Sequence, residues 1–403
     1  MNAYMIISQK SINPFGDHPR DCLITNQTLA TLQQDALLSL RLELRPLQSA
    51  TDIVDSSEHI VFADSLYFTR ELLKEFLTQS RGLQRRTVCS AKPGVATLRS
   101  VVNTQDVRVY PDRIEYGLHY VPAGSVMDEP VAVVIGLDQF REAFNMPEHM
   151  FGGKEYPIQM TDLLIAQIDH WTNLLAMNVA TLLSGGAKLK KASRLPLLAL
   201  ALKARSFNQW RVASTLNHIG HHCDIHPTAY IEGSTIGNNV RVGAGSIIRE
   251  SVVADNTYVA NRVTIDLSSV GADCFIRDGA VVQYSVLYPG SYVSNRLVSL
   301  SLCGRDTFLG DGAVLTDFRF DRQPVTVMKG GVQISTDNTF VGCCLGHRVY
   351  LGACVVLAPG RAIPNGMRIS LDETRVIQKC HANKRISGHR TVQVSSDGRA
   401  IAD

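Results

Sequence analysis

The chain has 403 residues and a formal net charge of +3 at pH 7, from 40 basic and 37 acidic residues. This near-balance excludes the strongly basic surface typical of nucleic-acid-binding proteins, so we expect no nucleic-acid partner. An apolar fraction of 45% with charges of both signs excludes a disordered chain and is enough for more than one core. No run of about 18 apolar residues could cross a membrane and no basic leader is present, so we expect a cytoplasmic protein.

The cysteines follow no spacing that would indicate a disulfide framework or a zinc site. In a chain of this length they are typical of reduced, mostly buried thiols. The nine lie at positions 22, 89, 223, 274, 303, 343, 344, 354 and 380.

The first part of the chain, residues 1–155, alternates strand-like and helix-like patterns and predicts an α/β domain, a sheet covered by helices. Strands are predicted at 4–8, 59–64, 107–120 and 130–136, and helices at 26–40 and 68–79.

A helical linker is predicted over residues 156–216, with one helix at 160–184 and a second at 195–216. A basic cluster precedes the second helix: Lys188, Lys190, Lys191 and Arg194. Two interpretations are open. The helices pack the flanking domains together, or they form a basic amphipathic patch that lies on a membrane surface.

Residues 217–375 carry an apolar repeat with steps of six, six and five, which gives a period of 17 residues. Neither a helix, with a period of 3.6, nor a flat strand, with a period of two, produces these steps. The pattern predicts a triangular coil whose aliphatic column becomes a continuous core when coils stack. The column comprises Ile219, Ile225, Ile231, Ile236, Val242, Ile248, Val253, Val259, Ile265, Val270, Ile276 and Val282.

Segments such as residues 236–248, Ile-Gly-Asn-Asn-Val-Arg-Val-Gly-Ala-Gly-Ser-Ile-Ile, resemble the hexapeptide repeats of left-handed parallel β-helix proteins. The resemblance implies a left-handed parallel β-helix over 217–375 and a homotrimer, followed by a C-terminal tail at 376–403.

The repeat breaks at residues 317–340, where strand-like alternation around a Gly-Gly pair predicts a hairpin that leaves the coil. We call residues 317–340 the excursion. The flanking sequence Gly-Asp-Gly-Ala-Val-Leu-Thr-Asp-Phe-Arg-Phe-Asp, residues 310–321, resembles two-domain sugar-1-phosphate nucleotidylyltransferases whose β-helix also acetylates an amino sugar phosphate. The resemblance implies a site between subunits. There Arg319 would hold a phosphate, Asp317 would face the sugar or amine, and Asp321 would contribute to substrate binding.

This sequence departs from that family at two positions. Asp317 stands where the family has an asparagine, and the family's catalytic histidine falls near Ser294 or Asn295. A serine or asparagine cannot act as the general base near neutral pH, so Asn295 is assigned only to substrate binding. His347, at a coil corner near the excursion, is the alternative candidate for a catalytic base.

The α/β domain also resembles sugar nucleotidyltransferases. Arg20, in Pro-Arg-Asp-Cys, stands at the position of the family's lysine below the sugar site, and Asp64 ends a strand as the family's metal-binding aspartate does. The Gly-rich loop that cradles the triphosphate is replaced by Ser8–His18, which contains one glycine. The sequence therefore predicts a nucleotidyltransferase-like fold whose nucleotidyl site is degenerate.

A histidine-rich segment, residues 218–226, lies where the first coil begins. Its spacing lacks the paired ligands of a structural zinc site, so we expect the entry into the β-helix and assign no metal ligands.

Two classes of function remain open from the sequence. The first is a transferase that acts on a sugar phosphate or nucleotide sugar, with acyl-CoA, or a nucleoside triphosphate with Mg²⁺, as the cosubstrate. The second is a non-catalytic trimeric scaffold or regulatory protein that keeps the two-domain architecture.

Overall fold

The computed structural model describes residues 1–53, 56–125, 129–145, 148, 155–191, 194–294, 296–372, 393–394 and 400–401. Two structural units follow one another in this part of the chain. The first is an α/β domain and the second is a parallel β-helix, so both predicted fold classes are confirmed.

The α/β domain is built on a mixed seven-stranded sheet. Its strands are β1 Asn2–Ile6, β4 Glu43–Leu47, β5 His59–Ala63, β7 Thr87–Ala91, β8 Arg108–Val109, β9 Ile114–Val121 and β10 Val131–Ile135. Their order is β10-β7-β9-β5-β1-β4, with β8 paired to β9. Strand β1 is parallel to both β4 and β5, whereas β9 runs antiparallel to β5 and β7. Small pairs complete the domain: β2 Leu23–Ile24 with β3 Gln27–Thr28, β6 Leu66–Phe68 with β13 Ile165–Gln167, and β11 Phe140–Asn145 with β12 Glu155–Met160.

The helices of this domain that lie fully within the described residues are α1 Leu29–Ser39, α2 Arg70–Leu83 and α3 Val95–Arg99. Helix α1 begins after Thr28, whose hydroxyl accepts a hydrogen bond from the backbone N–H of Thr31 at 3.2 Å. The apolar side of α2 packs into the core through Leu73 and Phe76, both fully buried. Short 3-10 turns lie at Pro19–Asp21, Ala50–Asp52 and Val102–Thr104.

The predicted helical linker is wrong in its first part. Residues Glu155–Met160 and Ile165–Gln167 are the strands β12 and β13, and the helix begins only at Trp171. The apolar residues at 163–168 fit a helical period and a strand equally well, and pairing with β6 decides for the strand.

The remaining linker helices are α4 Trp171–Lys191, α5 Arg194–Ala204 and α6 Gln209–Ser214. The second predicted helix is therefore divided. Arg205 has a φ of 49°, in the left-handed region that ends a helix, and the Asn208 side chain caps the start of α6.

The β-helix consists of three stacks of short parallel strands, and the 17-residue period appears directly as their register. Ile219 pairs with Ile236, Val242 with Val259 and Ile248 with Ile265. The aliphatic column from Ile236 to Val298 is buried to 1% exposure or less, so these repeat positions form the predicted core, and the stacks fit a left-handed β-helix. At the first coil the prediction is wrong for Ile219, which is 46% exposed. The first stack comprises His218–Ile219, Thr235–Ile236, Val252–Val253, Ser269–Val270, Val286–Leu287, Leu302–Cys303, Cys344–Leu345 and Ala362–Ile363.

The other two stacks form the remaining faces of the coil. The second stack comprises Asp224–Ile225, Arg241–Val242, Tyr258–Val259, Phe275–Ile276, Tyr292–Val293, Phe308–Leu309, Tyr350–Leu351 and Arg368–Ile369. The third stack comprises Tyr230–Glu232, Ile247–Arg249, Thr264–Asp266, Val281–Gln283 and Leu297–Ser299, and a further pair joins Val314–Leu315 to Val356–Leu357. A separate two-stranded sheet pairs Gln393–Val394 with Ala400–Ile401.

Successive coils approach so closely at the corners that only glycine fits. A Cβ added to Gly237 would lie 2.7 Å from the backbone nitrogen of Asp255 in the next coil, closer than real Cβ atoms come. The glycines that follow apolar residues in the repeat are therefore required by the distance between coils.

A shared hydrophobic core joins the α/β domain to the β-helix. Phe15 from the α/β domain stacks on Tyr288 with ring centroids 5.7 Å apart, and the Tyr288 hydroxyl accepts a hydrogen bond from the backbone N–H of Leu23. Val286 and Leu302, which point outward from the first stack, are 1% and 0% exposed because the α/β domain covers them. The first face of the coil is therefore buried within the chain.

The excursion is a hairpin, as predicted, with strands Thr326–Lys329 and Val332–Ser335 around Gly330 and Gly331. It lies on the α/β domain of its own chain. The side-chain amide of Asn103 donates to the backbone oxygen of Ser335, and Val325 and Val327 are fully buried in the shared core. Its own chain therefore covers much of the hairpin, and a binding cleft between subunits at residues 317–340 stays a prediction.

Candidate functional site

The carboxyl ends of the parallel strands β1 and β5 bring together the first group of polar residues. Asp64 follows β5 and is completely buried. Its Oδ2 accepts a hydrogen bond from the backbone N–H of Ser8 at 2.8 Å, and Nε2 of His18 lies 3.4 Å from the same oxygen. Oδ1 of Asp64 has no hydrogen-bond partner among the described residues. A buried carboxylate oxygen without a partner is costly unless a ligand or a proton satisfies it.

His18 and Arg20 lie on the loop between β1 and β2. Nε2 of His18 also contacts the backbone oxygen of Ser8 at 2.8 Å, while its Nδ1 faces the backbone nitrogen of Arg20. The Nε atom of Arg20 is buried and has no partner in the described part of the protein. Together with Asp64, these residues form what we call the strand-end site.

A chain of charges lies beside this site. Nζ of Lys10 lies 2.7 Å from Asp106 and 2.7 Å from Asp169, and Nζ of Lys329, from the excursion, lies 2.6 Å from Asp106. Partial burial alone would raise the pKa of Asp106, but its hydrogen bonds with Lys10 and Lys329 outweigh that effect and lower the pKa. The ammonium group of Lys10 is therefore held by two carboxylates of its own chain.

His347 lies at a coil corner, as expected, but it faces the α/β domain of its own chain. Its Nδ1 accepts a hydrogen bond from the backbone N–H of Arg305 at 2.9 Å, and its Nε2 lies 3.1 Å from Oδ1 of Asp17. Both ring nitrogens are therefore engaged. A catalytic role for His347 remains a prediction that requires one of these contacts to open.

The family-like segment divides into two parts. Arg319 and Asp321 form an ion pair with each other near the surface, and this pairing lowers the pKa of Asp321 to about 2. Asp317 lies at the base of the excursion and lines a cavity with Tyr156, Tyr284 and Phe340. Asn295 lies outside the described residues. The substrate-binding roles of Arg319, Asp321 and Asn295 stay predictions.

Two adjoining cavities lie between the α/β domain, α4 and the β-helix. Their volumes are about 150 Å³ and about 240 Å³. The first is lined mainly by apolar side chains together with Arg99 and Gln159, and the second contains Asp317. Sequence reasoning missed Arg99, Gln159 and the charges around Lys10. No motif marks them, because their partners come from distant segments.

The histidine-rich segment lies on the surface at the first coil, with His218, His221, His222 and His226 all exposed. Across the described ranges, no group of three or more His, Cys, Asp or Glu side chains could hold a metal ion.

The linker helices give mixed support to the two interpretations of the basic cluster. Lys188, Lys190 and Lys191 each contact an acidic residue of the α/β domain, at 3.6, 2.6 and 2.6 Å. By contrast, Leu202 and Phe207 expose 68% and 85% of their surface. No helix in the part of the chain that the structure describes is both long enough and apolar enough to cross a bilayer.

No protein-family model matches this sequence, and no curated protein matches it. Solved structures do match. A UDP-N-acetylglucosamine acyltransferase from Campylobacter jejuni is 14% identical, with 37% of this chain and 68% of that chain covered and a TM-score of 0.20. The acetyltransferase domain of PglB from Neisseria gonorrhoeae, in complex with acetyl coenzyme A, is 19% identical, with 37% and 51% covered and a TM-score of 0.13.

A GDP-perosamine N-acetyl transferase variant from Caulobacter crescentus, in complex with CoA and GDP-perosamine, is 13% identical, with 38% and 54% covered and a TM-score of 0.14. With identities and TM-scores this low, the chain as a whole does not superpose on any of these three structures. The assignment of a parallel β-helix joined to an α/β domain therefore stands on the strand pairing of this chain.

Proposed function

We propose that this protein binds a phosphorylated or nucleotide-linked sugar at the strand-end site and is related to sugar-phosphate transferases. The observation that carries the proposal is the buried carboxylate of Asp64, which keeps one oxygen without a partner beside His18. In open α/β sheets, ligands bind at the carboxyl ends of the parallel strands. Asp64 and Ser8 stand at the ends of two such strands.

A nucleotidyltransferase-like fold agrees with this placement, but the site is a degenerate one. A triphosphate needs free backbone N–H groups and a cation. Here the Ser8 amide is bonded to Asp64, and the Lys10 ammonium group is bonded to Asp106 and Asp169. A divalent ion such as Mg²⁺ uses one or two carboxylates together with substrate phosphates, and Asp64 could supply one of them. Binding of a sugar phosphate or a nucleotide sugar is therefore favoured over catalysis of nucleotidyl transfer.

Acyl transfer from acyl-CoA is the second form of the proposal. It is supported by the β-helix architecture and by Asp317, which lines a cavity where the coil meets the α/β domain. A general base must have a free acceptor atom within reach of the substrate. His347 would gain one only if its contact with Asp17 or with the backbone of Arg305 opened.

The test is a thermal-shift panel of nucleotide sugars, sugar 1-phosphates and acyl-CoAs, each with and without Mg²⁺. A ligand at 100 times its dissociation constant adds about 2.7 kcal/mol of stability, which is readily measured. We expect a sugar ligand to raise the melting temperature of the wild type and of Asp35→Asn, an exposed control on α1, but not that of Asp64→Asn.

If no member of the panel changes the melting temperature, the non-catalytic scaffold becomes the better description. If acyl-CoA alone raises the melting temperature, and Asp64→Asn shows the same increase, the ligand site lies on the β-helix and not at the strand ends.

A further inference from the structure

Arg99 carries a half-buried guanidinium group that has no carboxylate partner among the described residues. It ends α3, and Nη1 donates to Oδ1 of Asn338 at 2.8 Å, while Nη2 donates to the backbone oxygen of Pro157 at 3.4 Å. Its Cζ lies 4.0 Å from the ring centroid of Tyr156. All these partners are neutral, and burial lowers the pKa of Arg99. A charged group in such surroundings is unusual, because buried charges are normally paired.

Two side-chain nitrogens near this position are left without partners. Nε of Arg99 and Nε2 of Gln159 are both buried and form no hydrogen bond within the described part of the chain. Gln159 is only 9% exposed, and both residues line the cavity of about 150 Å³. Nε and the second hydrogen of Nη2 form the edge of the guanidinium group that suits a carboxylate.

The rest of the cavity is mainly apolar. Dry cavities of about 150 Å³ lined by aliphatic side chains hold small apolar molecules the size of benzene. The adjoining cavity of about 240 Å³ shares Tyr156, Tyr284 and Phe340 with the first and would extend the space for a longer chain. The apolar wall of the first cavity comprises Ile158, Leu175, Val179, Leu183, Leu300 and Val341.

We infer that this cavity binds an amphipathic carboxylate, with an apolar body of roughly six to eight carbon atoms and its carboxylate on Arg99. The ligand would neutralise the guanidinium group of Arg99. Asp317 lies in the second cavity, so the negative head group belongs at the Arg99 end. The site uses none of Asp64, His18 and Arg20, and it is independent of the proposed sugar site.

The test compares octanoate with octan-1-ol, which share an alkyl chain and differ in the charge of the head group. Isothermal titration calorimetry on the full chain should show at least tenfold tighter binding of octanoate. Arg99→Met keeps the apolar stem but removes the charge, so it should abolish this preference and leave octan-1-ol binding within about twofold. Arg141→Met, an exposed control on β11 that pairs with Glu155, should bind octanoate as the wild type does.

Equal binding of the two probes by the wild type, or binding of neither, would overturn the inference. Octanoate binding that Arg99→Met retains would overturn it as well. Should Arg99→Met fail to fold, Val179→Trp provides a second variant, since it fills the cavity and should block both probes. Octanoate binding that survives in folded Val179→Trp would place the ligand elsewhere.

Discussion

Nε2 of His347 lies 3.1 Å from Oδ1 of Asp17, a contact between residues that are 330 positions apart in the chain. Nη1 of Arg305 reaches the other oxygen of the same carboxylate at 2.6 Å. The carboxylate of Asp17 therefore fastens the loop after β1 to a corner of the β-helix. Partial burial would raise the pKa of Asp17, but its bonds with His347 and Arg305 outweigh this effect and lower the pKa.

Replacement of Asp17 should weaken the junction between the two units. Asp17→Asn keeps the shape but loses the charge, and we expect the free energy of unfolding to fall by about 1–3 kcal/mol at pH 7. Urea denaturation, with Asp35→Asn as the exposed control, measures the difference. A variant as stable as the wild type would contradict the role of this carboxylate.

The difference in stability between the wild type and Asp17→Asn should depend on pH. The pKa of Asp17 is lower in the folded state than in the unfolded state, so its contribution is fully present above the unfolded pKa of about 3.9. The contribution is lost as the pH falls through the folded pKa. The difference in melting temperature between wild type and Asp17→Asn should therefore shrink as the pH falls below about 4. A difference that stays unchanged or grows below about pH 4 would refute this account.

Two neighbouring isoleucines test the inward orientation of the coil repeat. Ile248 is completely buried in the aliphatic column, whereas Ile247 in the same strand is 38% exposed. Ile248→Ala should cost about 2–5 kcal/mol of unfolding free energy, and Ile247→Ala less than about 1 kcal/mol. Chemical denaturation of the two variants measures both values, and equal losses would be inconsistent with the register.

The chain is predicted to form a homotrimer of about three times 44.2 kDa. The α/β domain covers the first face of the coil, so neighbours must use another face. The second stack exposes a column of stacked aromatic rings: Tyr258, Phe275, Tyr292, Phe308 and Tyr350. Phe275→Lys should dissociate the trimer, and light scattering would then give the mass of a single chain. Phe320→Lys is the control, because Phe320 lies in the excursion and is 99% exposed, and it should leave the trimer intact. A wild-type monomer at micromolar concentration would rule the trimer out.

Arg319→Ala separates a ligand-binding role from a structural one. Exposed ion pairs such as Arg319 with Asp321 contribute at most about 1 kcal/mol, so the melting temperature should change little. Because the proposed sugar site is the strand-end site, Arg319→Ala should retain sugar-phosphate binding in the thermal-shift panel. Loss of binding with an unchanged melting temperature would instead place a phosphate at Arg319.

The exposed apolar side chains of the linker test the membrane-surface interpretation. No acidic residue lies between Asp169 and Asp224, and Lys203, Arg205 and Arg211 flank Phe207 and Trp210. Basic and aromatic side chains together favour an anionic lipid surface. The wild type should co-sediment with phosphatidylglycerol vesicles more than with phosphatidylcholine vesicles, and Phe207→Ser should reduce this binding. Sedimentation with neither vesicle would leave the packing interpretation.

The sequence by itself determined the β-helix, the hairpin excursion and the α/β class of the first domain. These features can be predicted from the sequence because each depends on residues that are close together in the chain, within one repeat, strand or turn. Ile236 and Val253, for example, occupy the same core position in two successive coils, which the repeat makes visible. By contrast, periodicity could not distinguish a strand from a helix at 163–168, where the pairing of β13 with β6 decides.

The tertiary structure alone decided how the two units join and where the polar groups meet. The contact of Asp17 with His347 joins residues 330 positions apart, and Lys10 meets Asp169 over a separation of 159 positions. The cavity at Arg99 needs α3, β12, α4 and the base of the excursion at once. No spacing rule encodes such an arrangement, because charge pairing and cavity shape depend on packing between elements rather than on the period within one of them.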